Sequence, residues 1–273
     1  MTTNALSSRR PAVAGLFYPG DPRVLRQTVQ SMLDAIPPAA SALAPKAIIA
    51  PHAGYVYSGP VAASIYARLA PLRGRVSRVV LLGPTHRVAV RGLAHPACGW
   101  FETPLGKVEI DSDALAQLRA LPQVVASAAA HAQEHSLEVH VPFLQTVLGN
   151  FKLVPLAVGH ASPAEVAAVL DVLWGGPETL IVVSSDLSHS LPYREAQQTD
   201  RATADAIVDL RTDIDHHHAC GATPVTGLAL AAQRRGLTAE LVDLRNSGDT
   251  AGDKSRVVGY GSFAFYEKEA HAS

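Results

Sequence analysis

Short, uninterrupted apolar runs alternate along this chain with longer segments in which apolar residues recur at helical spacing. The runs predict buried strands at 46–50, 78–82, 151–159 and 179–184, because none of them shows the in-and-out alternation of a half-exposed strand. Strands that are apolar on both sides are typical of a sheet covered by helices on both faces. The pattern therefore predicts an α/β fold with a central, largely parallel or mixed sheet.

The segments between these strands carry helix signals. Asp21 as N-cap and Pro22 at the first helical position predict a helix over 21–36. The remaining predicted helices start at Pro60 or cover 112–121, 136–149, 162–175, 199–211 and 223–235. Further strands are predicted within 87–110, at 238–244 and at 256–267, and the Gly/Asp-rich stretch 245–261 is predicted to be a flexible lid or pocket edge.

The alternation continues through the chain without a repeat or a low-complexity linker. We therefore predict one domain over 1–273, with a flexible N-terminus at 1–9 and a flexible C-terminus at 268–273. With 48% apolar and 17% charged residues, the chain can bury a sizeable core.

Composition and charge exclude several classes of protein. The net charge of −1, without a long basic run, argues against nucleic-acid binding. No apolar run approaches the roughly 20 residues of a membrane span, and no signal-peptide core follows the first arginines. We expect a cytoplasmic protein that acts without membrane or nucleic acid, with Cys98 and Cys220 reduced.

Polar, chemically capable residues follow three of the predicted strands. His52 follows 46–50, His86 follows 78–82, and Asp186 and His189 follow 179–184. Ligands bind at the carboxyl ends of strands in such sheets, so these side chains are expected to converge on one edge. Neutral imidazoles are good metal ligands, and a third protein ligand would complete an open, catalytic type of metal site. Spacing leaves that ligand open: Asp186, a carboxylate from 133–140, or Cys220.

The stretch "SSDLSH" (184–189) allows two interpretations. Asp186 could orient His189 as a general base, or Ser184 or Ser185 could be the nucleophile of a hydrolase. The nucleophile interpretation lacks a G-x-S-x-G turn. A third possibility is that Asp186 only caps a helical turn.

Two other stretches concentrate titratable residues. "AQEHSLEVHVPF" holds Glu134, His135, Glu138 and His140 but matches neither metalloprotease motif, so we predict a pocket rim or an outer shell around a metal. Cys220 precedes a predicted helix, where a thiolate would be favoured, although a small buried thiol fits the pattern equally well. The run His216–His218 is predicted to be a solvated loop.

Seven motifs in order, "VAGLFYPGDP", "APHAGYVYSG", "LLGPTH", "EHSLEVHVPFLQ", "SSDLSH", "CGATPV" and "SGD…VVGYG", resemble the Memo family, whose bacterial and archaeal members are called AmmeMemoRadiSam system protein B. The resemblance runs from about Arg10 to Tyr266, which is nearly the whole chain. It implies a fold similar to class III extradiol dioxygenases, with a pocket at the rim of the sheet.

The resemblance also implies a set of site residues. The family's metal positions fall on His52, His86 and Cys220, and the position of the dioxygenase base falls on His189, with Asp186 beside it. The surrounding pocket is expected to include Tyr55, Glu134, His135, His140 and Ser185. The implied metal is Fe(II), with copper or zinc as alternatives, and a radical-SAM protein and an Amme-type protein are the implied partners.

Three functions remain as hypotheses. The first is a mononuclear metal centre for redox or oxygen-dependent chemistry on a small-molecule or peptide ligand. A thiolate ligand is softer than the glutamate of extradiol enzymes and can be oxidised, so ring cleavage does not follow from the resemblance. The second is a non-enzymatic module that binds a ligand or carries metal, and the third is a hydrolase that uses Ser185 or a metal-bound water. The sequence leaves open whether the protein is an enzyme; if so, a non-haem metal oxidoreductase is expected.

Overall fold

A mixed sheet with helices packed on both faces confirms the predicted α/β class. The computed structural model describes residues 4–39 and 43–268. In these ranges the strands are β1 Asn4–Arg9, β2 Ala47–Ala50, β3 Arg78–Pro84, β4 Leu93–His95, β5 Cys98–Thr103, β6 Gly106–Glu109, β7 Val124–Ala126, β8 Lys152–Val158, β9 Thr179–Ser184, β10 His189–Leu191, β11 Thr238–Asn246 and β12 Val257–Tyr266.

The helices of the same ranges are α1 Pro22–Asp34, α2 Tyr55–Tyr66, α3 Ser112–Gln117, α4 Ala128–Ala132, α5 Val141–Leu148, α6 Pro163–Leu173, α7 Tyr193–Val208, α8 Ala222–Arg235 and α9 Ser247–Thr250, with 3-10 helices at Ala67–Leu72 and Glu138–His140. None of the described helices is long and apolar enough to cross a bilayer.

The order of strands in the large sheet brings the predicted polar strand ends together. The order is β10-β12-β2-β9-β3-β8-β4-β7, with β11 paired to β12. Strands β2, β9, β3 and β8 run parallel, and β9 lies between β2 and β3. The carboxyl ends of β2, β9 and β3 therefore open at one edge of the sheet. A smaller sheet contains β1, β5 and β6.

Both faces of the central strands are buried, which explains their uninterrupted apolar runs. On one face Ile48 and Val182 pack with residues of α1, α2 and α5. On the other face Ile49 and Val183 pack with residues of α6, α7 and α8. Since successive strand residues point to opposite faces, covering both faces requires apolar residues at consecutive positions.

Helix α2 begins at Tyr55, and not at Pro60 as predicted. The Tyr55 amide donates a hydrogen bond to the Phe17 carbonyl, 2.8 Å away, which satisfies a first-turn N–H group from outside the helix. Gly59 removes the Cβ that would disfavour helical backbone before a proline. A Cβ at Gly59 would also lie 2.6 Å from Met32 Sδ, so the glycine allows α1 to pack closely on α2.

The helix predicted over 136–149 starts later in the structure, and the position of Pro142 explains the difference. The chain forms a 3-10 helix at Glu138–His140, and α5 then starts at Val141 with Pro142 in its first turn. A proline there removes no helical hydrogen bond. Two other predicted helices also differ: α7 covers Tyr193–Val208 and not 199–211, and α3 ends at Gln117, before 121.

Residues 4–9 form strand β1, where the sequence predicts a flexible terminus over 1–9. Strand β1 pairs with β5 in parallel, from Asn4 opposite Cys98 to Arg9 opposite Phe101. Residues 1–3 lie outside the described residues, as do residues 269–273 of the predicted C-terminal tail. The predicted lid at 245–261 contains the end of β11, helix α9 and the first half of β12.

A buried ion pair attaches this N-terminal segment to the rest of the molecule. Arg9 Nη1 donates to Glu138 Oε2, and both side chains are almost fully buried. The other Glu138 oxygen accepts hydrogen bonds from the Tyr18 hydroxyl at 2.6 Å and the Val13 amide at 3.0 Å. Arg9 also donates to the His131 carbonyl at 3.0 Å. Glu138 is therefore a structural residue that joins the segment around 9–18 to the 3-10 helix before α5.

We expect the protein to lose stability as the pH falls below neutral, because two buried histidines resist protonation. Burial lowers the pKa of His131 to about 4 and that of His140 to about 3. In the unfolded chain both titrate near their ordinary value, so protons bind the unfolded state preferentially between that value and the folded one. At pH ~5 this preferential binding of protons lowers the free energy of unfolding by about 2 kcal/mol for each histidine.

Urea unfolding of metal-free protein at neutral pH and at pH ~5 checks this expectation. The variant His131→Gln should show a smaller loss between the two pH values than the wild type, and His217→Gln, at an exposed position, should match the wild type. Equal stability of the wild type at the two pH values would contradict the prediction.

Candidate metal site

Two strand ends and one helix start supply a cluster of ligand atoms at the edge of the sheet. His52 lies just beyond β2, His86 just beyond β3, and Cys220 just before α8. One ring nitrogen of each histidine and the Cys220 sulfur all lie within 4.8 Å of one another. We call these three residues the ligand cluster. The structure thus brings together the three positions that the sequence motifs single out.

His52 is the buried member of the cluster. Its backbone N–H donates to Asp186 Oδ1 at 2.7 Å, which fixes the turn after β2 against the loop after β9. Its Nε2 lies 3.3 Å from Cys220 Sγ. Burial lowers the pKa of His52 well below its usual range, helped by the neighbouring histidines His135 and His86. His52 is therefore neutral at physiological pH, the form in which imidazole binds a metal.

His86 is oriented by a buried carboxylate. Its Nδ1 lies 2.8 Å from Glu134 Oε1, so Nδ1 carries the proton and Nε2 keeps a free lone pair. Burial alone would raise the pKa of Glu134, but hydrogen bonds from the His86 ring and from the Ser136 and His86 amides lower it to about 2. A histidine held by a carboxylate in this way is the usual outer-shell arrangement around a metal.

Glu134 itself belongs to a second group of three close ligand atoms, with His86 and His135. Its Oε1, however, already accepts hydrogen bonds from the His86 ring and, at 3.0 Å each, from the amides of His135 and Ser136. An oxygen that is bonded to three N–H groups has no lone pair left for a metal. Glu134 Oε2 accepts the His86 amide at 2.5 Å, so both carboxylate oxygens take part in holding His86. We therefore assign Glu134 to orienting His86.

Cys220 reaches the cluster because the next residue is a glycine. A Cβ at Gly221 would lie 2.5 Å from the Ser184 carbonyl oxygen, so only glycine lets this loop approach the end of β9. The Cys220 amide donates to the Asp186 carbonyl at 3.2 Å, and the Asp186 amide points to Cys220 Sγ at 3.3 Å. These contacts fix the sulfur beside His52.

Of the two states that the sequence leaves open for Cys220, a thiolate or a small buried thiol, the structure without metal favours the thiol. Burial and the charge of Asp186 raise the pKa of Cys220 to about 12 and outweigh the hydrogen bond from the Asp186 amide. Cys220 is thus a neutral thiol at physiological pH. A metal that binds it must displace the thiol proton.

Asp186 and His189, the predicted acid–base pair, occupy different environments. Asp186 is buried, its pKa is raised by that burial, and its Oδ2 lies 3.9 Å from His52 Nε2. His189 is exposed at the start of β10, and its Nδ1 donates to the Leu187 carbonyl at 2.9 Å. That bond places the proton on Nδ1 and leaves the Nε2 lone pair available to take up a proton.

The predicted pocket residues divide between the rim and the interior. His135 lies at the rim, stacked on His86 with 4.6 Å between ring centroids, and Phe17 lies 4.7 Å from the His135 ring. Tyr55 is instead a core residue, whose buried hydroxyl donates to the Val139 carbonyl at 2.6 Å. His140 is also fully interior, behind Ser184, with its Nε2 2.8 Å from Ser184 Oγ.

The form of the hydrolase hypothesis in which Ser185 is the nucleophile does not fit the geometry of Ser185. Its hydroxyl donates to the Asp186 carbonyl at 2.7 Å and accepts the Gly221 amide at 2.9 Å. Among the hydrogen bonds of the described residues, none joins Ser185 to a histidine base. Ser184 does contact histidines, but it is fully buried, so no substrate can reach its hydroxyl.

Sequence reasoning missed two tyrosines near the site. Tyr66, at the end of α2, donates its hydroxyl to His140 Nδ1 or accepts from it, with 2.8 Å between the atoms. Tyr260, on β12, is buried close enough to Asp186 for that charge to raise the pKa of its phenol, after the larger effect of burial. Tyr66 ends an apolar helix and carries no sequence signal; Tyr260 stands within the "VVGYG" motif.

The fold and the site together define a class of protein. It is an α/β protein with two histidines and a cysteine at the carboxyl edge of its sheet. The family model described as Memo-like protein matches residues 9–264. A MEMO1 family protein of Methanothermobacter thermautotrophicus is 38% identical over 272 residues, covering 92% of this chain and 98% of the relative. The chain belongs to the Memo family.

Other similar proteins include a MEMO1 family protein of Aquifex aeolicus, 36% identical over 264 residues, which covers 92% of this chain and 97% of the relative. Among solved structures, that of an uncharacterized protein from Escherichia coli K12 covers 78% of this chain and 98% of its own, with a TM-score of 0.49 and 14% identity.

Proposed function

We propose that this protein binds one redox-active metal ion, iron or copper, through His52, His86 and Cys220, and uses it for redox or oxygen-dependent chemistry on a small-molecule or peptide ligand. The observation that carries the proposal is the approach of two imidazole nitrogens and one sulfur to within 4.8 Å of one another. Three protein ligands on one side leave positions open for a substrate, as in catalytic metal sites.

The donor set fits such an ion. His52 is neutral because it is buried, and the hydrogen bond from His86 Nδ1 to Glu134 leaves Nε2 free to bind. Binding of a metal would release the Cys220 proton to solvent, and two imidazoles with a thiolate would suit Cu(I), Fe(II) or Zn(II). When bound, iron or copper would supply one-electron chemistry or activation of oxygen, and zinc would not.

The residues beside the cluster supply the handling of protons and the exclusion of water. His189 Nε2 is the base we assign, because its Nδ1 proton is held by the Leu187 carbonyl and its ring is exposed to an incoming ligand. Asp186 holds the loop that carries His189 and bonds to the His52 amide. His135 and Phe17 form an aromatic wall on the His86 side of the cluster.

The variants His86→Gln and His189→Gln separate binding from proton transfer. We expect His86→Gln to lose the metal, and His189→Gln to keep a wild-type metal content but to lose oxygen consumption or product formation in a screen of candidate ligands. The measurements are element-resolved metal content and oxygen uptake of anaerobically purified, untagged protein. Wild-type protein that cannot be loaded with iron or copper would refute the proposal.

The non-enzymatic alternative has a distinct outcome in the same experiment. Stoichiometric metal in wild type, with no oxygen uptake and no product for any candidate, would identify a metal-carrying or ligand-binding module. Binding of such a module should then be tested with the two partners that the family resemblance implies, a radical-SAM protein and an Amme-type protein.

A further inference from the structure

A single buried hydroxyl stands behind the ligand cluster and contacts three polar groups. Ser184 Oγ lies 2.6 Å from the Ser136 carbonyl oxygen, 2.7 Å from His52 Nδ1 and 2.8 Å from His140 Nε2. Ser184 is fully buried at the last position of β9. Water has no access to these groups, so their protons must be shared among the protein atoms themselves.

The chemistry of the three partners decides where each proton is. A hydroxyl has one proton to donate, and the Ser136 carbonyl can only accept, so the Ser184 proton goes to that carbonyl. Both histidine nitrogens that face Ser184 Oγ must then be N–H donors. His52 is therefore protonated on Nδ1, and His140 on Nε2.

The same reasoning extends one step further into the core. His140 is neutral, because burial lowers its pKa to about 3, so the ring has one proton, and Nδ1 is an acceptor. The Tyr66 hydroxyl, 2.8 Å from that nitrogen, donates to it. The Tyr66 ring is held in turn by a stacked contact with Phe143, with centroids 4.9 Å apart and planes inclined by 10°. Every proton in the chain from Tyr66 to His52 then has an acceptor.

We propose that Ser184, His140 and Tyr66 are positioning residues that lock His52 in the tautomer with its proton on Nδ1 and its Nε2 lone pair facing Cys220 and His86. The two histidines of the ligand cluster would then be oriented by different devices, His86 by the Glu134 carboxylate and His52 by a neutral hydroxyl. The effect on metal binding rests on the proposed function; the tautomer itself does not.

The tautomer can be observed directly in metal-free protein. Nitrogen-15 NMR of protein labelled at histidine distinguishes protonated from unprotonated ring nitrogens, and His52→Gln and His140→Gln assign the two sets of signals. We expect His52 with its proton on Nδ1 and His140 with its proton on Nε2 at neutral pH. A proton on His52 Nε2 in wild-type protein would overturn the proposal.

Replacement of the hydroxyl tests its consequence. In Ser184→Ala we expect the His52 signals to lose the single Nδ1–H form, and the affinity for Zn(II), measured by competition with a chromophoric chelator, to fall about 10–100-fold. Tyr66→Phe keeps the stacked ring and should give a smaller loss. Ser262→Ala is the matched control, because Ser262 is a fully buried strand serine of the same sheet whose hydroxyl has no partner among the described residues.

The two proposals fail in different ways. If wild-type protein binds no metal but His52 shows the Nδ1–H form, which Ser184→Ala abolishes, the proposed function is wrong and the positioning role stands. If metal binds and Ser184→Ala keeps both the tautomer and the wild-type zinc affinity, the positioning role is wrong and the metal site stands.

Discussion

Replacement of Cys220 by alanine is expected to remove the bound metal, while Cys98→Ala leaves metal content at the wild-type level. Cys220 would contribute the one anionic ligand of the cluster, so its loss should reduce affinity by more than the roughly 10–100-fold that is typical of an outer-shell change. Cys98 is the matched control, since it is buried, and its sulfur bonds the Trp100 carbonyl at 3.3 Å.

The measurement is element-resolved metal content of both variants and wild type, purified anaerobically without an affinity tag. The exposed run His216–His218 makes a nickel column a source of false metal. Unfolding curves of the apoproteins show whether Cys220→Ala is folded, because a thiol-to-methyl change leaves only a small cavity. A folded Cys220→Ala variant with near-stoichiometric metal would show that the cysteine is not a ligand.

Replacement of Glu138 by glutamine is expected to destabilise the protein by about 3–5 kcal/mol, the cost of leaving a buried charge without its partner. The substitution keeps the size of the side chain but leaves the Arg9 guanidinium unpaired in an interior position. It also puts an N–H₂ group where one of the carboxylate oxygens accepts hydrogen bonds, such as those from the Tyr18 hydroxyl and the Val13 amide.

Urea unfolding of Glu138→Gln at neutral pH measures this effect as a lower midpoint at an unchanged slope. Glu240→Gln is the comparison, because Glu240 pairs with Arg68 at 2.9 Å on the surface, where an ion pair contributes less than about 1 kcal/mol. If the two variants were equally stable, the Arg9–Glu138 pair would not be an anchor of the N-terminal segment.

The positions of His52 and His86 could be predicted because they depend on local pattern alone. Each follows an uninterrupted apolar run, and such runs mark strands covered on both sides, whose carboxyl ends meet at one edge. The third ligand could not be chosen from spacing, because Asp186, Glu134 and Cys220 all carry suitable atoms. Tertiary contacts distinguish their surroundings: three N–H groups bond to Glu134 Oε1, while the Cys220 sulfur lies 3.3 Å from His52 Nε2.

The roles that the sequence suggests for several residues change once their hydrogen bonds are known. Tyr55 and Ser185 stand within motifs that suggest a pocket, yet both hydroxyls are bonded to backbone carbonyls. Ser184 suggests a nucleophile and is instead a buried junction between two histidines. The type of residue shows that a side chain can donate or accept a hydrogen bond, but only the packing shows which group it is bonded to.

By itself the sequence determined the alternation of strands and helices, the α/β class, the family resemblance and the histidines at two strand ends. These follow from periodicities of a few residues and from motifs that are contiguous in the chain. The tertiary structure decided the start of α2, the attachment of the N-terminal strand, the fit of Cys220 beside His52 and the contacts of Ser184 with two histidines. Each of these depends on atoms from segments far apart in sequence, such as Tyr55 with Phe17 or Arg9 with Glu138, whose proximity no local pattern encodes.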